Sequence, residues 1–267
     1  MQAAGKPTFD VTVCRLHFTS RGVLAFPPAM ASNVVRGVFG AALFSTPAYA
    51  RIFAPRAAAG PSGLKDVPRP FVLRAEHLDG LKLEAGAPFH IGVHLFLAGE
   101  DALGWIRDAF AHWRGAELRD VETSRVSVPL ELPSGPVDRL RVLFLTPTEL
   151  KSGEKIVERP DFPVLFARAR DRVSTLRAAY GTGALDIDFA GMAERAALVR
   201  AISCDIERTF VERLSKASGQ RHPLSGFTGC AVYAGELREF MPILRAAEWT
   251  GVGRQTVWGH GAIRVEV

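Results

Sequence analysis

Twice along this chain the spacing of apolar residues switches between the period of a strand and that of a helix in one order: strand, helix, strand, strand, helix, strand. That order constrains the fold more than composition does. In the first round, residues 9–18 (FDVTVCRLHF) alternate polar with apolar, and Ser32 or Asn33 is placed to cap a helix over VVRGVFGAALF that stops before Pro47. Residues 69–76 and 88–97 read as strands parted by turns near Gly80 and Gly86. Leu103, Ile106, Phe110 and Trp113 then fall three and four apart, the spacing of an apolar helical face, and residues 121–132 close the round. After the turn-rich LPSGPV at 132–137, residues 139–144 begin again as a strand. A helix starts at Asp161, with Phe162, Leu165, Phe166, Val173 and Leu176 on its apolar side and Arg168, Arg170, Arg172 and Arg177 adding charge. Residues 196–211 and 226–233 read as extended, 236–246 as helix and 257–267 as the last strand. The expected fold class is α+β, as two tandem ferredoxin-like βαββαβ units over residues 1–136 and 137–267, a structural duplication without visible sequence repeat.

Two segments stand out from this frame. A connection over 46–68, rich in Ala, Pro and Gly and carrying Arg51, Arg56, Lys65 and Arg69, is long for a compact unit. It reads either as a surface insertion or as a loop that touches substrate. The second segment, 251–261, holds Gly251, Gly253, Arg254, Trp258, Gly259, His260 and Gly261 between the last helix and the last strand. Glycine-rich backbone approaches phosphate closely, Arg254 supplies charge, and Trp258 offers a ring to a base. The alternative reading is a tight helix-to-strand turn with Trp258 in the core. A dinucleotide fingerprint is excluded, because the strand-glycine-helix order and its downstream acidic residue are missing.

Composition narrows the partners. The 267 residues carry 33 Lys and Arg against 28 Asp and Glu, a net charge of +5 that favours anionic partners without dictating a fold. Cys14, Cys204 and Cys230 have no short spacing, so neither a disulfide framework nor a zinc site is expected, and free thiols fit a reducing compartment. No segment reads as a secretory signal or a membrane span, which makes a cytoplasmic location the expectation.

The C-terminal blocks GFTGCAVYAG and FMPILRAAEWTGVGRQTVWGHG resemble the CRISPR-associated endoribonucleases that process precursor CRISPR RNA, members of the repeat-associated mysterious protein superfamily. RGVFGAAL at 36–43, SGLKDVPRPFVLR at 62–74, and LTPTELKSG at 145–153 followed by PDFPVLFARARDRVSTL extend the resemblance over both halves. It implies tandem ferredoxin-like domains, CRISPR repeat RNA as ligand, other CRISPR-associated proteins or a second copy of the chain as partners, and no cofactor or metal. It also implies cleavage by attack of a ribose 2′-hydroxyl, leaving a 2′,3′-cyclic phosphate. Such chemistry needs a base, a proton donor and cations or amides at the developing charge, roles suited to histidine, lysine and arginine. Members of the family often carry a catalytic histidine in or near the first helix, whereas here that helix offers Asn33 and Arg36. His17, with Arg21 just beyond it, and His260 are therefore the catalytic candidates. Arg21, Asn33, Arg36, Lys151, Lys155, Arg159, Arg254 and Trp258 are the candidate RNA contacts. His90 and His94 share a strand face without a third ligand, and His112 reads as a packing or surface residue, as do His77 at a strand end and His222 near a turn unless either reaches a cleft. The rival expectations are an RNA-binding protein without catalysis and a structural subunit of an effector complex.

Overall fold

The computed structural model describes residues 7–55, 67–97, 100–210, 212–214, 221–223 and 225–267. The first unit runs β1 (Thr8–Ser20), α1 (Ala31–Leu43), α2 (Pro47–Ile52), β2 (Phe71–Arg74), β3 (Pro88–Leu95), α3 (Glu100–Ala111) and β4 (Ala116–Pro129). The second runs β5 (Arg139–Thr148), α4 (Phe162–Tyr180), α5 (Phe189–Ala196), β6 (Arg200–Thr209), β7 (Gly226–Ala234), α6 (Met241–Thr250) and β8 (Ile263–Glu266). Each unit builds one antiparallel four-stranded sheet, ordered β2-β3-β1-β4 in the first and β6-β7-β5-β8 in the second. The two orders are the same permutation, so the α+β class and the tandem ferredoxin-like architecture are observed.

Helices α1 and α3 cover one face of the first sheet. Val35, Phe39 and Leu43 on α1 and Ile106 and Phe110 on α3 are buried in one core with Leu16, Phe18 and Phe71, and the Phe39 and Phe110 rings stack at 5.2 Å. Helix α1 starts without a side-chain cap of its own; instead the Asp79 carboxylate accepts from the Ala31 amide at 2.8 Å. That distant cap satisfies one of the donors a helix start leaves open. Pro47 at the first position of α2 turns the chain immediately afterwards.

The opposite face of the first sheet is partly covered by the second unit. Val72 and Phe96 join the core formed by Leu165, Phe166, Phe240 and Leu244. Three side chains meet the carbonyl end of α6: Arg74 donates to Glu248 O at 2.9 Å, His94 Nδ1 to Trp249 O at 2.9 Å, and Arg172 to Thr250 O at 2.8 Å. The last carbonyls of a helix lack partners within it and carry its negative pole, so these donors satisfy the groups and match the charge. Two of the three come from the first unit, which ties the units together where α6 gives way to the glycine-rich segment.

Several expected bounds shift. Part of the 46–68 connection is helix α2, while its residues 56–66, with Arg56 and Lys65, lie outside the described residues. Strand β4 begins at Ala116, earlier than its apolar pattern indicates, because its exposed middle is charged (Glu117, Arg119, Asp120, Glu122) and backbone pairing with β1 carries it. Residues 189–196 are helix α5, opened by Asp188 accepting from the Gly191 amide at 2.9 Å. The final strand is confined to Ile263–Glu266, since Thr256–Trp258 form a 3-10 turn. No described helix is long and apolar enough to cross a membrane.

Candidate functional site

The glycine-rich segment closes back on its own unit and reaches across to the other. Val252 donates to Gly261 O at 2.8 Å, Gly261 to Pro147 O at 3.0 Å, and the Thr146 hydroxyl to Gly259 O at 2.9 Å. At Gly259 the backbone has φ +79°, and an added Cβ would lie 2.3 Å from Ser32 Oγ near the start of α1. Glycine at this position thus permits both a left-handed turn and contact between the loop and α1. One helical turn further, the Arg36 guanidinium lies 4.5 Å from the centre of the Trp258 ring and 5.4 Å from that of Phe53. A cation over an indole face is attractive through the ring quadrupole. The structure therefore joins two of the proposed RNA contacts, Arg36 and Trp258, with Asn33 on the turn between Ser32 and Arg36.

Behind Trp258 opens a cleft of about 560 Å³ between α4, the glycine-rich segment and the chain leading into β2. Arg69, Arg168 and Arg172 line it, with Asp171 as the carboxylate among the lining residues. Asp171 is shared between Arg168 at 2.9 Å and Arg170 at 3.0 Å. Arg168 Nε and Arg172 Nη2 are closed off from solvent and have no hydrogen-bond partner among the described residues. Desolvation, then the nearby Arg74 guanidinium, pulls Arg172 down to about 9, which leaves it charged at neutral pH. With three arginines lining the cleft against the one carboxylate of Asp171, its charge suits an anion. Sequence reasoning noted these arginines only as charge. The available signal was the spacing of Arg168 and Arg172, which lie one turn apart on α4 beside buried Leu165, Ala169 and Val173.

The other candidates take different positions. Arg254 is engaged by Glu149, a carboxylate only 5% exposed, and its amide donates to Glu149 O at 2.9 Å. Its guanidinium fastens the segment to the end of β5. Lys151 and Lys155 sit on the hairpin that leaves from Glu149 and Leu150, against which Gly253 packs, and Lys151 pairs with Glu154 at 3.2 Å. Arg159 is exposed beyond that hairpin, and Arg21 is exposed beside Gly115, whose carbonyl accepts from its amide. Gly251 ends α6 with φ +69°.

The two catalytic candidates differ sharply. His260 is 3% exposed, neither ring nitrogen has a hydrogen-bond partner among the described residues, and burial pushes its pKa down to about 4. It is a neutral imidazole packed inside the segment. His17 stands on β1 with a side chain 36% exposed and Nε2 3.3 Å from Glu122 Oε1.

His94 is also held neutral, its pKa pushed down to about 4 by burial and then by Arg74. In the unfolded chain both histidines take up protons near the ordinary 6.5, so the native state binds fewer protons below that value. The stabilisation is complete above pH 6.5 and is lost as pH falls from there towards about 4. Urea titrations across that window are expected to show a fall in unfolding free energy that H94Q together with H260L makes shallower.

Comparison with known proteins follows the same lines. A family model described as CRISPR-associated endoribonuclease Cas6 matches residues 142–263. No curated protein sequence matches. The structure of Thermus thermophilus Cas6 superposes over 98% of this chain and 100% of its own, with TM-score 0.60 and 16% identity. A product complex of the same protein gives TM-score 0.64 at 18% identity over 97% of this chain and 100% of that one. A partial Cas6-RT-Cas1–Cas2 complex gives TM-score 0.65 at 11% identity, over 98% of this chain and 47% of that one. At such identities the superpositions establish a shared fold. The fold and junction define a tandem ferredoxin-like protein with a glycine-rich loop docked on its first helix. The match to the Cas6 endoribonuclease model is confined to residues 142–263, most of the second unit, so it likens that unit to the family while the superpositions extend the shared fold over both.

Proposed function

We propose that the protein cleaves CRISPR repeat RNA by attack of the 2′-hydroxyl next to the scissile phosphate, giving a 2′,3′-cyclic phosphate and a 5′-hydroxyl. The observation that carries this reading is the junction itself: a glycine-rich loop seated on α1, with the Arg36–Trp258 stack at its rim and arginines lining the cleft behind it. RNA backbone lies against Arg69, Arg168 and Arg172, and an unpaired base stacks on the exposed part of Trp258. His17, its side chain partly exposed although Nε2 is turned inward towards Glu122, carries proton transfer, whereas His260 serves packing.

A second reading, binding of repeat RNA without cleavage, is favoured by the burial of His260 and by the lack of histidine on α1. One experiment separates the two. The full chain is incubated in excess EDTA with labelled repeat RNA, and with the same RNA carrying one 2′-deoxy sugar upstream of the break. Cleavage of the first RNA alone is the expected outcome; tight binding of both without cleavage supports the silent binder. Affinity is also expected to fall with salt, the logarithmic slope steepening by about 0.7 for each phosphate neutralised on a single strand.

A further inference from the structure

Three of the seven histidines converge around His17, where β1 and β3 pair and the turn after β2 meets them. His17 on β1 and His90 on β3 are directly opposed across the sheet, their rings 6.0 Å apart. The ring of His77, from the 3-10 turn Glu76–Leu78, stacks on His90 at 4.3 Å. His77 Nε2 lies 3.0 Å from His90 O, and since a carbonyl only accepts, that nitrogen carries the proton. Arg15, exposed and two residues before His17 on the same strand face, is paired in register with Glu122, the residue whose carboxylate faces His17. Asp120 stands opposite His17 on β4.

The remaining histidines have other roles or positions. His94 caps α6, His260 is buried, His112 Nδ1 donates to Asp108 O on α3, and the side chain of His222 lies outside the described residues. The cluster is thus the one place among the described residues where imidazoles, a carboxylate and a guanidinium meet at an accessible surface. Core packing does not require it: His77 is exposed and His17 and His90 are partly so.

We propose that His90 and His17, oriented by His77 and Glu122 and assisted by Arg15, form the general acid–base site for RNA cleavage. This rests on the reading of the protein as a ribonuclease and adds His90 as a second catalytic residue. His90 Nε2 or Nδ1 takes the proton from the 2′-hydroxyl as O2′ forms its bond to phosphorus. The P–O5′ bond breaks, and His17 gives the proton on Nδ1, the ring nitrogen turned away from Glu122, to the departing O5′. The Arg15 guanidinium faces the non-bridging oxygens, where charge grows. The products are the 2′,3′-cyclic phosphate and a free 5′-hydroxyl, and solvent returns both imidazoles to their starting states. Desolvation, then His77, Arg15 and His17, lowers the His90 pKa against the smaller opposing effect of Glu122, the direction that suits a general base. Glu122 Oε1 lies 3.3 Å from His17 Nε2, which makes no hydrogen bond, so Glu122 acts on the ring by charge and proximity as a positioning residue.

The test is single-turnover cleavage of labelled repeat RNA by the full chain, wild type and the variants H90A, H90Q, H17N and H112Q. RNA affinity and thermal midpoint are measured on each. H90A and H17N are expected to lose roughly 100-fold or more in rate, with affinity and thermal midpoint retained, while H112Q cleaves as wild type does. Added imidazole restores part of the H90A rate, an effect a purely structural residue does not produce. Wild-type rates in both H90A and H17N, with the native protein cleaving normally, overturn the proposal. So does an H90Q loss that tracks a lowered thermal midpoint and resists imidazole in H90A. A native protein that cuts no RNA overturns the ribonuclease reading itself, and this assignment with it.

Discussion

Gly261→Ala lowers the thermal midpoint by on the order of 10 °C, the largest stability effect expected of any single change in the glycine-rich segment. The residue has φ +70°, and a Cβ built on it lies 2.0 Å from Val252 O, a backbone atom that cannot rotate away. That carbonyl belongs to the residue whose own amide donates to Gly261 O, and Gly261 in turn donates to Pro147 O. Relief of the clash therefore breaks the pairing between the end of α6 and the end of β5. Left-handed strain together with overpacking costs about 2–5 kcal/mol. Differential scanning calorimetry reads the shift directly. A midpoint unchanged in Gly261→Ala would mean that the segment does not make this turn. Gly104, on the exposed side of α3 with nothing within 4 Å of its would-be Cβ, is the matching control.

Trp258→Ala is expected to weaken repeat-RNA binding roughly 10-fold or more, since stacking of a base on an aromatic ring is worth about 1–3 kcal/mol. The ring lines the cleft on one side and holds Arg36 on the other. Loss of the ring removes the stacking surface and releases the guanidinium that it positions. Arg36→Ala therefore lowers affinity through the same assembly, and the double variant loses less than the sum of the two single losses. Trp258→Phe keeps an apolar ring and retains much of the binding. Fluorescence anisotropy at one fixed salt concentration, on the wild type and these four variants, measures the coupling. Additive losses would indicate that Arg36 and Trp258 act on separate parts of the RNA.

The architecture was largely legible in the sequence because burial on one face imposes a period. Leu16 and Phe18 on β1, Phe39 on α1 and Phe110 on α3 all point into the same core, and their spacing declared their elements. Where burial does not act, the pattern went silent. The middle of β4 is exposed and charged, and it is a strand only because its backbone pairs with β1, a long-range fact that no local window contains. Helix α5 buries only Met192 and Ala196, too little apolar spacing to announce a helix.

The site was readable at its rim and obscure at its centre. The glycines of 251–261 marked a close backbone approach, and Ser32, lying under Gly259, turned out to be the neighbour that requires it. Arg254 looked like a free cation, but Glu149 is more than a hundred positions earlier in the chain and folding brings the two together. His17, His77 and His90 are likewise scattered over three elements, and only the antiparallel register of β1 and β3 places two of them opposite each other. His260 stood in the most suggestive segment of all and proves to be buried. A residue's position in a motif fixes its neighbours in sequence, while its access to substrate is decided by tertiary packing.

The central claim, that RNA is cut by its own 2′-hydroxyl, is tested most directly by the chemical ends of the products. Repeat RNA cleaved by the full chain in excess EDTA is resolved by mass spectrometry. A 2′,3′-cyclic phosphate on the upstream fragment and a 5′-hydroxyl on the downstream fragment are the predicted ends. An upstream 3′-hydroxyl with a downstream 5′-phosphate, or intact RNA under conditions where it is fully bound, contradicts the account.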